Sequence, residues 1–198
     1  MLRKGKKLYL LILPFLCTLS VSAQQREICI TGGFSENSLV YFAHLAGGAS
    51  YDNEGSWHSG LQFNEKLTSK LWFSTGLIYS KHSIKVTPEF FPGIEIQSRT
   101  EEIQLMSIPM EVKVDFLKFL FLKGGPIIDL ELNSLNSGTD AQSGLGIELG
   151  IGAKIKMHRL IFEVNPFAKV HSMPAFSPER YHQHLIESGM NFCVGFSF

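Results

Sequence analysis

Beyond residue 23, the sequence lacks an apolar stretch long enough for a membrane-spanning helix, which needs roughly 20 mainly apolar residues. It also lacks a charge excess, because 18 basic residues balance 18 acidic residues. Without residues 1–23, which hold four of the basic residues, 14 basic and 18 acidic residues remain, a net charge of −4. That balance argues against nucleic acid as a partner. Any passage through a bilayer must therefore use strands.

A recognisable catalytic or cofactor-binding motif is also missing. Gly144, Gly146, Gly150 and Gly152 superficially suggest a phosphate loop, but they fall at alternate positions and do not follow the GxGxxG spacing. Small residues on a crowded strand face account for them better. Serine, histidine and aspartate occur without a nucleophile elbow. We therefore expect a protein that is not an enzyme and has no cofactor.

The N-terminal segment has the three parts of a secretory signal peptide. A basic stretch at residues 3–7 is followed by an apolar stretch at residues 8–19 and by small residues before Gln24. This order predicts cleavage after Ala23. We therefore assign residues 1–23 to a signal peptide and residues 24–198 to one domain.

The last thirteen residues alternate between apolar and polar side chains. A period of two is the signature of a strand with one apolar face. The sequence ends on an aromatic residue of the apolar row, as the closing strand of a bacterial outer-membrane barrel commonly does. We interpret Phe192, Phe196 and Phe198 as an assembly signal read by the barrel-insertion machinery.

Strand-like alternation recurs along the rest of the chain. Between positions 145 and 155 the odd-numbered residues are apolar, and the even-numbered ones are glycine, glutamate or lysine. In the fourth segment the apolar phase changes between Leu105 and Ile108, which predicts a β-bulge near Met106 and Ser107. The eight predicted strands are 26–34, 56–66, 70–82, 101–115, 119–132, 144–156, 159–171 and 185–198.

The predicted connections alternate in length. Three are tight, at 67–69, 116–118 and 157–158, and the others are long, at 35–55, 83–100, 133–143 and 172–184. This alternation is typical of an up-and-down membrane barrel with short periplasmic turns and long outer loops. We therefore predict an all-β fold, an eight-stranded antiparallel up-and-down transmembrane β-barrel in the outer membrane of a Gram-negative bacterium, in contact with its lipid.

Alternation alone leaves a second fold open, a soluble periplasmic lipocalin-like barrel that binds a small apolar ligand inside. Three features favour the membrane barrel instead. The apolar rows persist for about five or six alternate positions, close to one bilayer crossing by a tilted strand. Aromatic residues recur near the strand ends, as interfacial girdles require. The polar rows mix both charge signs with glycine, which suits a narrow, internally paired lumen.

Two adjoining stretches resemble a known family. IQLMSIPMEVKVDF, residues 103–116, is similar to a strand of the small outer-membrane β-barrel family abundant in Bacteroidetes, some members of which are labelled PorT-like. FLKGGPIIDLEL, residues 121–132, is similar to that family's next strand, which often has a Gly-Pro pair. The resemblance implies a barrel without catalytic residues. It also implies an accessory role in a membrane or secretion complex, as a few family members have.

Histidines concentrate at the predicted outer end of the barrel. Together with His44, they could bind zinc or copper or act as polar residues of the mouth. The polar reading is the better one, since no carboxylate or cysteine completes an obvious ligand set in the sequence. We therefore assign no metal site and name as candidates only His58, His82, His171, His182 and His184.

Charged residues of both signs fall on the predicted lumen faces. Eight strands enclose a space that side chains roughly fill, so these charges predict a hydrogen-bonded plug. The lumen-facing charges are Glu111, Lys113, Lys123, Asp129, Glu131, Glu148, Lys154, Glu163 and Lys169. A plugged barrel would display its outer loops, and residues 41–55 and 172–184 hold aromatic side chains suited to a protein partner.

The two cysteines of the mature chain fall on its first and last strands, which are neighbours in a closed barrel. Cys29 and Cys193 both have the lumen-facing phase and both lie near the periplasmic end. The periplasm permits disulfides. The sequence thus leaves two readings, a disulfide or thiol contact across the seam, or two small residues offset by the stagger of the barrel.

Overall fold

The alternating segments form eight strands in a computed structural model of the chain, which describes residues 25–41, 50–87, 97–133, 140–176 and 182–198. The predicted signal peptide lies outside these residues. No helix among the described residues is long and apolar enough to cross a membrane. The strands are β1 (Arg26–Tyr41), β2 (Ser50–Lys66), β3 (Leu71–Thr87), β4 (Arg99–Asp115), β5 (Leu120–Glu131), β6 (Gly144–Met157), β7 (Leu160–Val170) and β8 (Gln183–Ser197).

Each strand pairs antiparallel with its neighbours in the sequence, and β1 also pairs with β8. The last pairing closes the sheet into a ring, which removes the two free edges of an open sheet. Along this seam Glu27 lies opposite Ser197, and Tyr41 lies opposite Gln183. The predicted eight-stranded antiparallel up-and-down barrel is therefore confirmed.

The wall of the barrel is apolar outside and polar inside. In β6, Leu149 is 62% exposed on the outer face, whereas the neighbouring Glu148 is 3% exposed and points inward. β7 and β8 alternate in the same way along their lengths. This is the distribution of a transmembrane barrel. The soluble alternative requires the reverse, a charged exterior around an apolar interior, which these strands do not have.

The two ends of the barrel differ in their connections. Tight connections follow β2, β4 and β6, and Arg26 and Phe198, which pair at one end of the seam, lie on the same side of the barrel. The turn between β6 and β7 places His158 at a positive φ of 57°, a left-handed conformation typical of two-residue hairpin turns. We call this side of the barrel the turn end and the opposite side the loop end.

Several strands extend further toward the loop end than the sequence predicted. β1 and β2 take up residues 35–41 and 50–55 of the predicted first connection, and only 42–49 fall outside the described residues. β3 and β4 likewise shorten the second connection. Few outward-facing residues in these extensions are apolar. The alternation of apolar and polar residues therefore did not predict them as parts of strands. His44, and residues 177–181 of the last connection, lie outside the described residues.

The β-bulge predicted near Met106 and Ser107 is wrong. β4 keeps one register with β3 from Val114 to Arg99, and Ser107 lies opposite Ile78 in that register. The apolar phase changes because the filling of the interior changes, so that Leu105 points inward although it is apolar. The observed irregularity is in β2, between Asn53 and Gly55.

Candidate functional site inside the barrel

The interior begins at the turn end with a buried tryptophan. Trp72 is buried, and its indole Nε1 donates a hydrogen bond to Asp115 Oδ2 at 2.8 Å. Lys154 Nζ lies 4.2 Å from the centre of the ring, and the same ammonium pairs with Glu27 Oε1 at 2.7 Å. The ring and the carboxylate together stabilise the lysine charge away from bulk water.

Buried ion pairs continue from this tryptophan into the barrel. Lys113 Nζ pairs with Glu163 Oε1 at 2.6 Å. Lys123 Nζ joins two carboxylates, at 3.1 Å from Glu111 Oε2 and 2.8 Å from Glu148 Oε1. All five side chains are buried. Charges in such a place require partners, because their desolvation would otherwise cost several kcal/mol.

Lys169 links these pairs to the loop-end half of the interior. Its Nζ lies 3.5 Å from Glu148 Oε2 and 3.8 Å from Glu187 Oε2. Lys123, Glu148, Lys169 and Glu187 therefore form one chain of alternating charges along the lumen. The nine charged residues predicted for the lumen have this inward phase, with Lys154 and Glu131 half-buried.

Next to Glu187 in the interior lies His171, which has a carboxylate on each side of its ring. His171 Nδ1 lies 2.8 Å from Asp129 Oδ2, and its Nε2 lies 3.1 Å from Glu187 Oε2. His82 is next to this pair, and one ligand atom from each of His82, His171 and Glu187 lies within 4.8 Å of the others. Ser35 Oγ donates to the second oxygen of Glu187 at 2.7 Å.

The five candidate histidines divide into an interior group and a rim group. His58, His82 and His171 are buried inside, and His58 contributes a ring nitrogen 4.0 Å from Glu187 Oε1. His182 and His184 lie near the loop end with their ring centres 5.3 Å apart. Glu187 is thus the carboxylate that the sequence analysis did not find. Its inward phase in β8 was readable, but its place beside His82 of β3 depends on closure of the ring.

Aliphatic side chains fill the interior beside the histidines. They lie in the loop-end halves of β1, β3, β4 and β8, where Ile84 follows His82 by one inward position and Leu185 precedes Glu187 by one. This apolar cluster was missed, because lumen-facing residues were expected to be polar. Its members are Leu39, Ile84, Ile103, Leu105 and Leu185.

Two glycines of β6 face the crowded interior. A Cβ atom added to Gly152 would overlap the ring of Phe121, and one added to Gly150 would lie 2.6 Å from the side-chain amide of Asn165. Both separations are shorter than van der Waals contact allows. The reading of these alternating glycines as small residues on a crowded lumen face, in place of a phosphate loop, agrees with this packing.

The two cysteines meet diagonally across the seam. Cys29 lies opposite Gly195, and Cys193 lies opposite Thr31, so the pair is offset by two residues. Both side chains are buried, and both thiols are free. A thiol contact and a disulfide across the seam both stay predictions.

The phenylalanines of the proposed assembly signal lie on the outer face of β8. Phe192, Phe196 and Phe198 are all exposed, and Phe192 packs against Phe34 across the seam with ring centres 5.9 Å apart. Phe198 exchanges two backbone hydrogen bonds with Arg26, of 3.0 and 2.9 Å. Their recognition by insertion machinery stays a prediction.

No protein-family model and no curated protein matches the sequence. Solved structures with a similar fold are outer-membrane barrels. The outer membrane protein AlkL in lipid bilayers has a TM-score of 0.51 at 10% identity, over 90% of this chain and 93% of AlkL. OprG from Pseudomonas aeruginosa has a TM-score of 0.49 at 11% identity, over 87% of this chain and 95% of OprG. At such identities the AlkL likeness establishes the fold, that of a small outer-membrane β-barrel.

Proposed function

We propose that this protein is a non-enzymatic integral barrel of the Gram-negative outer membrane, with a closed lumen and with loop-end segments that contact a protein partner. The paired charges that run from Trp72 to His171 are the observation that carries the proposal. A water-filled channel would leave such side chains solvated, whereas here their partners are one another. The apolar cluster closes the same interior on the loop-end side.

The lengths of the connections indicate how the barrel is oriented in the membrane and which end would contact a partner. Short turns are typical of the periplasmic side of such barrels and long connections of the outer side. Apolar side chains near the loop end, such as Phe176 at 55% exposure, then lie on the outer side of the membrane. The resemblance of residues 103–116 and 121–132 to the PorT-like family supports an accessory role in a membrane or secretion complex.

Planar-bilayer recordings on the purified mature chain test the closed lumen. We expect no stable conductance, because paired side chains occupy the interior and leave no continuous water path. The double variant Glu111→Ala, Lys123→Ala shortens two facing side chains and should allow intermittent channel events. Reproducible channels of nanosiemens size from the unmodified protein would overturn the closed-lumen proposal.

Crosslinking in cells tests the proposed partner surface. A photoreactive residue at Asn53 or Phe176, both near the loop end, should yield the same crosslinked protein component of the outer membrane. A photoreactive residue at Leu117, at the turn end, is the matched control and should not yield it. Absence of a crosslink from both loop-end positions would remove the partner from the proposal.

A further inference from the structure

Inside the loop-end half, two histidines and one carboxylate converge on a single small volume. One ligand atom from each of His82, His171 and Glu187 lies within 4.8 Å of the others, and all three side chains are buried. His171 directly follows β7 and Glu187 lies on the paired strand β8, and ring closure brings His82 of β3 to them. Imidazole nitrogens and a carboxylate oxygen are the ligands that zinc prefers.

We propose that His82, His171 and Glu187 form a buried binding site for a divalent transition metal of the zinc class. Zinc ligands lie about 2.0–2.2 Å from the ion, so small side-chain rotations must bring the three groups together. Rotation of His82 would exchange its bonds to Ser56 and Ser80, of 3.2 and 3.0 Å, for the metal.

Asp129 supports this proposal by its position behind His171. It accepts a hydrogen bond from His171 Nδ1, which leaves Nε2 facing Glu187 at 3.1 Å. A carboxylate that holds one imidazole nitrogen while the other binds metal is the usual arrangement around histidine ligands. Positive charge between His171 and Glu187 is therefore favoured, whether a proton or a metal ion supplies it.

A further imidazole and two apolar side chains lie beside these three groups. His58 Nδ1 is buried without a hydrogen-bond partner among the described residues and lies 4.0 Å from Glu187 Oε1. Leu185 and Ile84 each adjoin one of the proposed ligands on the loop-end side. Lys169 is the neighbouring cation, 3.8 Å from Glu187, and it also pairs with Glu148 at 3.5 Å.

Burial determines how the site must be loaded. The exposures of His82, His171 and Glu187 are 0%, 1% and 1%, so an ion has to enter before the barrel closes. The test therefore refolds the mature chain from urea into detergent with one equivalent of Zn²⁺, and separately with chelator. After gel filtration we expect one zinc per folded chain. A cobalt-loaded sample should show the visible absorption of a tetrahedral site.

Variants assign the metal to these residues. His82→Gln and Glu187→Gln should lose stoichiometric zinc and the cobalt spectrum, and Asp129→Asn should weaken zinc binding about 10–100-fold. The double variant His182→Ala, His184→Ala should keep both signals. The heat-modified gel shift shows that each variant is folded, so that lost metal is not lost structure.

Three results would overturn the proposal. The first is a folded protein without bound zinc after refolding in its presence. The second is a folded His82→Gln variant that binds zinc as the unmodified chain does. The third is loss of zinc only from the variant lacking His182 and His184, which would place the metal at the rim.

Discussion

The half of the interior next to the turn end is packed with lysine–carboxylate pairs, whereas the half next to the loop end is packed with aliphatic and histidine side chains. Lys123 between Glu111 and Glu148 represents the first half, and Leu105 represents the second. The turn-end half lies behind an apolar outer wall, whereas few of the outward positions around the aliphatic cluster are apolar. One ring of strands therefore encloses two different kinds of core.

The two kinds of packing contribute different properties. Buried ion pairs add little net stability, because desolvation offsets most of their attraction. They do fix the register, since a slip by one residue would turn every inward lysine toward lipid. Aliphatic packing contributes stability through the area it buries and is less selective about its neighbours.

Loss of one charge in the turn-end half should have the largest effect. Lys123→Met leaves Glu111 without its ion-pair partner, and we expect a loss of about 3–5 kcal/mol in the free energy of unfolding. The double variant Lys123→Met, Glu111→Gln removes the orphaned charge and should recover part of that loss. Urea unfolding in detergent measures both. Equal losses in the single and double variants would contradict a paired charged core.

Truncation in the loop-end half should cost somewhat less. Leu105→Ala opens a cavity in the apolar cluster, and we expect a loss of about 3 kcal/mol in the free energy of unfolding. Leu149→Ala, on the outer face, is the matched control and should change it little, because detergent or lipid fills the space. If both truncations cost the same, Leu105 does not belong to a packed core.

The difference between the halves also explains what could be predicted from sequence. Alternation in β6 and β7 identified the wall, because one face meets lipid along the whole strand. In β4 the prediction of a β-bulge was wrong, because Ile103 and Leu105 are apolar yet face inward. Period-two patterns report the contrast between faces, and in the loop-end part of β4 this contrast is reversed, because Glu102 and Gln104 lie on the outer face.

The candidate site was only partly accessible to sequence reasoning. The inward phase of His82 and His171 followed from their strands. The proximity of His82 to Glu187 depends on which strands face each other across the ring, and that of His171 depends on the stagger between β7 and β8, neither of which local periodicity encodes. Trp72 was missed for the same reason, because its partners Asp115 and Lys154 come from other strands.

A charge on the outer wall should separate lipid contact from interior packing. Leu149→Arg places a guanidinium on the outer face, and we expect a loss of about 2 kcal/mol in folding free energy in bilayers. The same change at Leu130, closer to the loop end, should cost less because charge is tolerated better near the interface. Unfolding titrations in vesicles compare the two. A larger cost at Leu130 would place the bilayer nearer the loop end.

Oxidation of the seam cysteines should have the smallest effect on stability. Cys29 and Cys193 lie diagonally across the seam, and we predict that oxidation joins them, which mass analysis detects as the loss of two hydrogens. Closing nearly the whole chain into one loop would stabilise it by about 4–5 kcal/mol in the entropic model. The two-residue offset, however, makes the two cysteines diagonal neighbours, which lie about 7–8 Å apart in an ordinary sheet with somewhat less between their Cβ atoms. A disulfide needs about 3.5–4.5 Å between these atoms.

Strain at the seam should therefore cancel most of that entropic gain. We expect the unfolding free energies of oxidised and reduced protein to differ by about 1 kcal/mol or less. Cys29→Ser, which cannot form the bridge, is the control and should show no response to reductant. Stabilisation by the full entropic amount would mean that β1 and β8 pair without the two-residue offset. Two thiols that stay alkylatable after oxidation would remove the disulfide and leave two small buried residues offset by the stagger of the barrel.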